Sequence, residues 1–406
     1  MKNKLNSLLN QIFASGFSFL VLIISAKLLT GNDFGIISLI VLFVLTISVI
    51  PQSFIQMSVM SNSNKFTNKL YYFNNNSLLN IILIIFIIIL LWCVYIINIF
   101  NVQNLFSFNS IVIYFISFQL YELTKKFLFV ENKHILATYL ESLKLLVPTI
   151  IFSILILKEN FTFSIDSILI IVSIGYISFL IPCLKYFNFK NINFNDIKKI
   201  TIENYHFGKW IFLSNTIQNI NSNLYIYISA FILPIYIIGV LNAIRSFIGF
   251  STVIFLTLDN YLTPKYASFY LANSKEKLEN SVYSTYNKIG LLFIISYIFL
   301  GLFSEFILLT IYNKEISEYY YFIYFFLFAN ILMYYTRPII VLSKTIGLTK
   351  ILYLSSLPVL LFTIIFTYPM ISYFETIGAL TILCLGQLFH LISLKYFYKK
   401  ESINHE

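Results

Sequence analysis

The stretch Ile238–Pro264, IGVLNAIRSFIGFSTVIFLTLDNYLTP, decides how the chain is read. At about 1.5 Å per residue it is long enough to cross a bilayer as a helix, yet it carries Arg245 inside its apolar run. An arginine at the centre of a membrane helix costs roughly 2.5–3.5 kcal/mol on insertion scales. Such a side chain either faces a wet cavity, a partner or an anionic ligand, or it snorkels toward the nearer surface.

Working outward, the whole chain has this character. It is 59% hydrophobic and 11% charged, with a mean hydropathy of +0.83, whereas soluble domains carry about 25% charged residues. The fold class that follows is all-α, a polytopic membrane protein of about twelve transmembrane helices. Cys93, Cys183 and Cys384 lie in separate apolar runs, which argues against a disulfide framework. His134, His206, His390 and His405 show no metal-ligand spacing, so no metal or other cofactor is expected. The net charge of +10 resides in lysines near the ends of spans, so orientation explains it better than nucleic-acid binding.

In chain order, spans are predicted near 8–29, 35–56, 78–97, 108–130, 135–157 and 165–187, with an asparagine-rich loop over 61–77. Residues 188–206, the most polar internal stretch, separate a first six-helix lobe (1–187) from a second (207–406). This linker reads as a short interfacial helix or an irregular loop. Further spans fall near 207–232, 238–262, 288–311, 319–342, 351–371 and 375–397. With the N-terminus inside, the outer loops hold only Lys158 and Lys314, while the other loop lysines, Lys125 and Lys126 among them, fall inside. Such a bias predicts cytoplasmic N- and C-termini.

The halves echo each other: Ala26 and Gly35 bracket one outer connector, and Ala230 and Gly239 bracket another with the same spacing. Duplicated transporters place their sites between repeats. Three segments then carry a resemblance, SFLVLIISAKLLTGNDFGIISLI (18–40), the stretch from Ile238 through PKYASFY (264–270), and LLTIYNKEISEYYYFIYFFLFANILMYYTRPIIVLSKTIGLTK (308–350). The chain resembles the polysaccharide-export branch of the multidrug/oligosaccharidyl-lipid/polysaccharide exporter superfamily, which includes O-antigen and capsule-unit flippases. Thr30 and Leu241 depart from that pattern, where glycine and an aromatic are usual. The resemblance implies two six-helix lobes around a cavity that opens alternately to either side of a bacterial inner membrane. It also implies a cargo of undecaprenyl-pyrophosphate-linked oligosaccharide, moved from the inner to the outer leaflet for O-antigen or capsule assembly.

A pyrophosphate in a low-dielectric cavity calls for cations inside spans. Setting the loop lysines aside leaves Lys27, Lys144, Arg245 and Arg337 as candidate receptors. For each a plainer role competes. Lys144 has Glu141 one turn away and can form an internal pair, Lys27 can snorkel, and Arg337 lies near the inner end of its span, before Pro338. In the seventh span Asn215, Gln218, Asn219, Ser222 and Asn223 recur at helical spacing, either as helix-to-helix glue or as a polar cavity lining for sugar. Acidic candidates for coupling are Glu122, Glu141, Asp259 and Glu305. Glu122 is expected to pair with Lys125 or Lys126, and coupling to an H+ or Na+ gradient or to the membrane potential stays open.

The leading function is therefore a lipid-linked oligosaccharide flippase, a monomeric transport unit with membrane lipids and glycan-polymerase machinery as partners and no nucleic acid. A cation-coupled exporter of drugs or other small molecules on the same scaffold is the alternative. An O-antigen polymerase or membrane glycosyltransferase fits less well, because every outer connection is short.

Overall fold

The computed structural model describes residues 2–63, 68–97, 106–158, 161–189, 194–272, 274–312, 314–346, 348 and 350–404. Within these, the side chains of Cys93 and Asp259 lie outside the described residues, as does His405 entirely. All the described regular structure is helical. The helices are Lys2–Leu28, Gly31–Ile47 continued through Met57–Asn62, Lys69–Ile97, Phe108–Val130, His134–Ile156, Ile165–Leu180, Phe194–Ile232, Ile235–Ala272, Lys275–Leu302 with Ser304–Ile311, Phe322–Ile346, and Lys350–Asn404. Each predicted span falls on one of them, and seven described helical segments are long and apolar enough on their own to cross a membrane.

The last helix accounts for two spans because it turns back on itself. Glu375 adopts φ 49° and ψ −128°, and Phe362 stacks on Phe389 with ring centroids 4.5 Å apart. Those rings are almost equidistant in sequence from Glu375, as an antiparallel hairpin requires. The turn is so tight that a Cβ on Gly378 would meet the Met370 carbonyl oxygen at 2.0 Å.

The predicted loop over 61–77 is much shorter, because a helix resumes at Lys69. Asparagine ordinarily competes with helix by bonding nearby backbone. Here Asn75 and Asn76 donate back to the carbonyls of Tyr71 and Tyr72, each at 2.9 Å, and stay within the helix. Tertiary partners complete the arrangement: Asn204 donates to Asn76 Oδ1 at 2.7 Å, and the hydroxyls of Tyr71 and Tyr72 donate to Asp196 (2.7 Å) and Asn204 (3.2 Å). These bonds tie the predicted linker down, so residues 194–206 form the first turns of the helix Phe194–Ile232.

Proline reshapes the second span. After Pro51, residues Gln52–Gln56 form a π-helix, which re-aims Ser53 and Gln56. The helix Phe194–Ile232 crosses this bulge closely, since a Cβ on Gly208 would sit 2.9 Å from both Phe54 Cα and Ser53 O. Both contacts are backbone, so neither can rotate aside. Gly208→Val is expected to lower stability by about 1–3 kcal/mol in denaturant titration of the purified protein.

The chain divides into two compact units, Met1–Thr216 and Ile217–Glu406, with the division inside the helix Phe194–Ile232. The sequence echo is matched in local structure. One helix ends at Leu28 and the next begins at Gly31; their counterparts end at Ile232 and begin at Ile235. In both connectors a buried serine carbonyl accepts from a leucine four residues on: Leu29 N to Ser25 O at 3.0 Å, and Leu233 N to Ser229 O at 2.7 Å.

Candidate functional site

In the first unit the polar chemistry gathers between the fourth and fifth spans. Phe108–Val130 and His134–Ile156 are joined by a short turn in which Asn132 takes φ 57° and Lys133 N bonds Leu128 O at 2.9 Å. This left-handed closure lets the second helix run back along the first. It brings Tyr121 and Lys125, one turn apart on one helix, against Glu141 and Lys144 on the other.

The Glu141 carboxylate is fully buried between two ammonium groups, Lys125 Nζ and Lys144 Nζ, each at 2.6 Å. The Tyr121 hydroxyl donates to Glu141 Oε1 and accepts from Lys144 at 2.9 Å and from Lys125 at 3.0 Å. Oε2 meets Lys144 as a close charge contact without a directed hydrogen bond. Aromatic faces complete the shell, with Lys144 Nζ 4.2 Å from the Tyr121 centroid and 4.9 Å from that of Phe17. Close packing excludes lipid: a Cβ on Gly175 would lie 2.6 Å from Pro148 Cγ and 3.0 Å from Lys144 O. The geometry thus favours the internal pair for Lys144 over its expected role as a cargo receptor.

The same region corrects two expectations. Lys125 and Lys126 are not loop lysines: both lie inside the helix, and Lys126 is buried. Lys126 donates to Gln56 Oε1 at 3.1 Å, Gln56 to Gln119 Oε1 at 3.0 Å, and Gln119 to Ser48 Oγ at 2.5 Å. Glu122 forms no ion pair among the described residues, because Lys125 has turned to Glu141 and Lys126 to the amide ladder. Sequence reading missed Tyr121, Gln56 and Gln119. The available signal was spacing: Tyr121 and Lys125 share a helix face, as do Glu141 and Lys144.

The remaining candidates are dispersed. Lys27 is exposed in the last turn of its helix. Asn215 belongs to the first unit and donates to Ser53 Oγ at 3.2 Å, a helix-to-helix bond. In the second unit Gln218 is exposed, and Asn219 accepts from Asn223 Nδ2 at 3.1 Å, while Asn223 is buried with no hydrogen bond to its own Oδ1 among the described residues. Arg337 is half-buried, 5.7 Å from the Phe255 centroid and near enough to His390 for its charge to act there. Glu305 is exposed.

Arg245 is half-buried in the helix Ile235–Ala272. Among the described residues no carboxylate pairs with it. It lies within electrostatic reach of the buried Tyr225 hydroxyl. No cluster of metal-ligating side chains occurs among the described residues.

Comparison with known proteins follows the helices rather than the residues. No family model matches the chain, and no curated protein matches it in sequence. Among solved structures, an inward-facing multidrug resistance MATE family transporter of the MOP superfamily matches with a TM-score of 0.65 at 14% identity, over 99% of this chain and 94% of the other. The chain has the MATE transporter fold. An outward-facing multidrug resistance MATE family transporter gives a TM-score of 0.64 at 12% identity, over 98% of this chain and 94% of that one. A mutant of a Vibrio cholerae MATE transporter gives 0.60 at 13% identity, covering 100% and 96%. On this MATE scaffold the two units each carry their own intramembrane cations, paired in the first and, among the described residues, without a carboxylate at Arg245 in the second.

Proposed function

We propose that this multi-pass membrane protein is an exporter working by alternating access, and not an enzyme, with a cargo that carries an anionic group. The observation that carries the cargo reading is Arg245: a guanidinium in an apolar helix with no carboxylate partner among the described residues. A cation left uncompensated in low dielectric is a receptor for an anion. The cargo that fits both this charge and the sequence resemblance is a lipid-linked oligosaccharide on undecaprenyl pyrophosphate. The setting is then a bacterial inner membrane with both termini cytoplasmic, and a monomeric unit acting beside glycan-polymerase machinery.

A second reading, cation-coupled export of drugs or small molecules, is favoured by the fold neighbours, two of which are described as multidrug resistance transporters. The two readings part on one experiment. In a host lacking its own flippase, the wild-type chain should restore surface glycan, and Arg245→Ala should reduce it at least tenfold at equal protein level. That corresponds to about 1.5–3 kcal/mol for a charged hydrogen bond. Unchanged glycan together with lowered sensitivity to toxic organic cations in a pump-deficient host would replace the first reading with the second.

A further inference from the structure

The second unit contains two more buried groups whose hydrogen-bonding capacity is unused beside Arg245. Tyr225 is 1% exposed and its hydroxyl has no hydrogen-bond partner among the described residues; Asn242 is 8% exposed and its Nδ2 has none there either. Leaving a buried polar group unsatisfied costs about 1–3 kcal/mol, so each such group in a native fold calls for an explanation. Their positions supply one. Tyr225 lies eight residues before Leu233 and Asn242 eight residues after Pro234, so both are at about 12 Å of helix from the same connector. Asn242 precedes Arg245 by three residues and shares its helix face. Only Leu233 and Pro234 separate the two helices that carry Tyr225 and the Asn242–Arg245 pair.

We infer that Tyr225, Asn242 and Arg245 form a binding subsite for a phosphoryl oxyanion, with Tyr225 and Asn242 as specificity-determining residues. Arg245 supplies a planar fork of N–H donors, Asn242 an amide N–H and Tyr225 an O–H. Three donor groups with no carboxylate among them suit a group that only accepts, and they offer nothing to an organic cation. The inference rests on the anionic-cargo reading and adds neutral donors that composition and charge did not point to. Phosphoryl chemistry is shared by a lipid pyrophosphate headgroup and by free pyrophosphate.

The test uses the full chain in neutral-lipid nanodiscs, titrated with inorganic pyrophosphate or with farnesyl pyrophosphate and read by calorimetry. Wild type should bind, Arg245→Ala should lose binding, and Tyr225→Phe and Asn242→Leu should each weaken it about tenfold. Tighter binding of farnesyl pyrophosphate assigns the site to a lipid headgroup, and tighter binding of the inorganic ion to a free anion. Tyr368→Phe, an exposed hydroxyl in the same unit, should change nothing. A folding role is separated by the unliganded protein: Tyr225→Phe deletes a hydroxyl that bonds nothing among the described residues, so its unfolding midpoint should hold or rise. A fall in that midpoint, or undiminished binding in both Tyr225→Phe and Asn242→Leu while Arg245→Ala loses it, overturns the subsite and leaves the anionic cargo standing. Absence of binding by wild type to either probe overturns both.

Discussion

Glu141→Gln is expected to lower the unfolding free energy of the purified protein by about 3–5 kcal/mol, the usual cost of removing one partner from a buried ion pair. The carboxylate is fully buried and carries the only negative charge within 4 Å of Lys125 and Lys144 among the described residues. Glutamine keeps the shape and the Tyr121 contact but leaves two ammonium groups facing each other in low dielectric. Charge, not volume, is therefore what the substitution removes. Adding Lys144→Met should recover much of the loss, because an apolar side chain of similar length eliminates one of the stranded charges. Denaturant titration followed by loss of helical circular dichroism measures all three proteins. Equal stability of wild type and Glu141→Gln would show that the triad contributes no net pairing energy.

Gly378→Ala should rank with it. The new Cβ would sit 2.0 Å from the Met370 carbonyl oxygen and 2.6 Å from its carbon, so the backbone itself has to move. The cost is expected at or above the upper end of the 1–3 kcal/mol range typical of overpacking, or about 3 kcal/mol. Gly386 supplies the control, since it lies in the same helical segment with nothing within 4 Å of the corresponding position. Gly386→Ala should be neutral or stabilising by up to about 1 kcal/mol through helix propensity alone. If the two alanine variants unfold alike, the tight turn at Glu375 is wrong.

Much of this architecture is legible in the residues because bilayer thickness acts on length and apolarity, which are one-dimensional properties. The spans, the all-helical class and the repeated connector of Ala26 and Ala230 come from that constraint. Composition misleads where polar residues sit near a span's end. Asn75 and Asn76 look like loop, and Lys125 and Lys126 like a positively charged flank, yet all four lie within helices. Three of these side chains, those of Asn76, Lys125 and Lys126, find partners on other helices, Asn204, Glu141 and Gln56, that no local window contains, and Asn75 bonds back to its own helix.

The four candidate cations separate for the same reason. Hydropathy places Lys27, Lys144, Arg245 and Arg337 inside or at the ends of spans, because a charge in an apolar run is visible in any linear scan. Whether a charge is spent internally depends on which helix faces it. Lys144 meets Glu141 one turn away on its own helix, but only packing of the fourth against the fifth span brings Lys125 and Tyr121 to that pair, and only packing in the second unit leaves Arg245 with no carboxylate among the described residues. Sequence by itself determined a duplicated, all-helical membrane protein with intramembrane cations, since burial in lipid is a cost counted residue by residue. Tertiary structure decided which cations are neutralised, since the contacts of Lys125 and Tyr121 with Glu141 depend on how closely two helices pack.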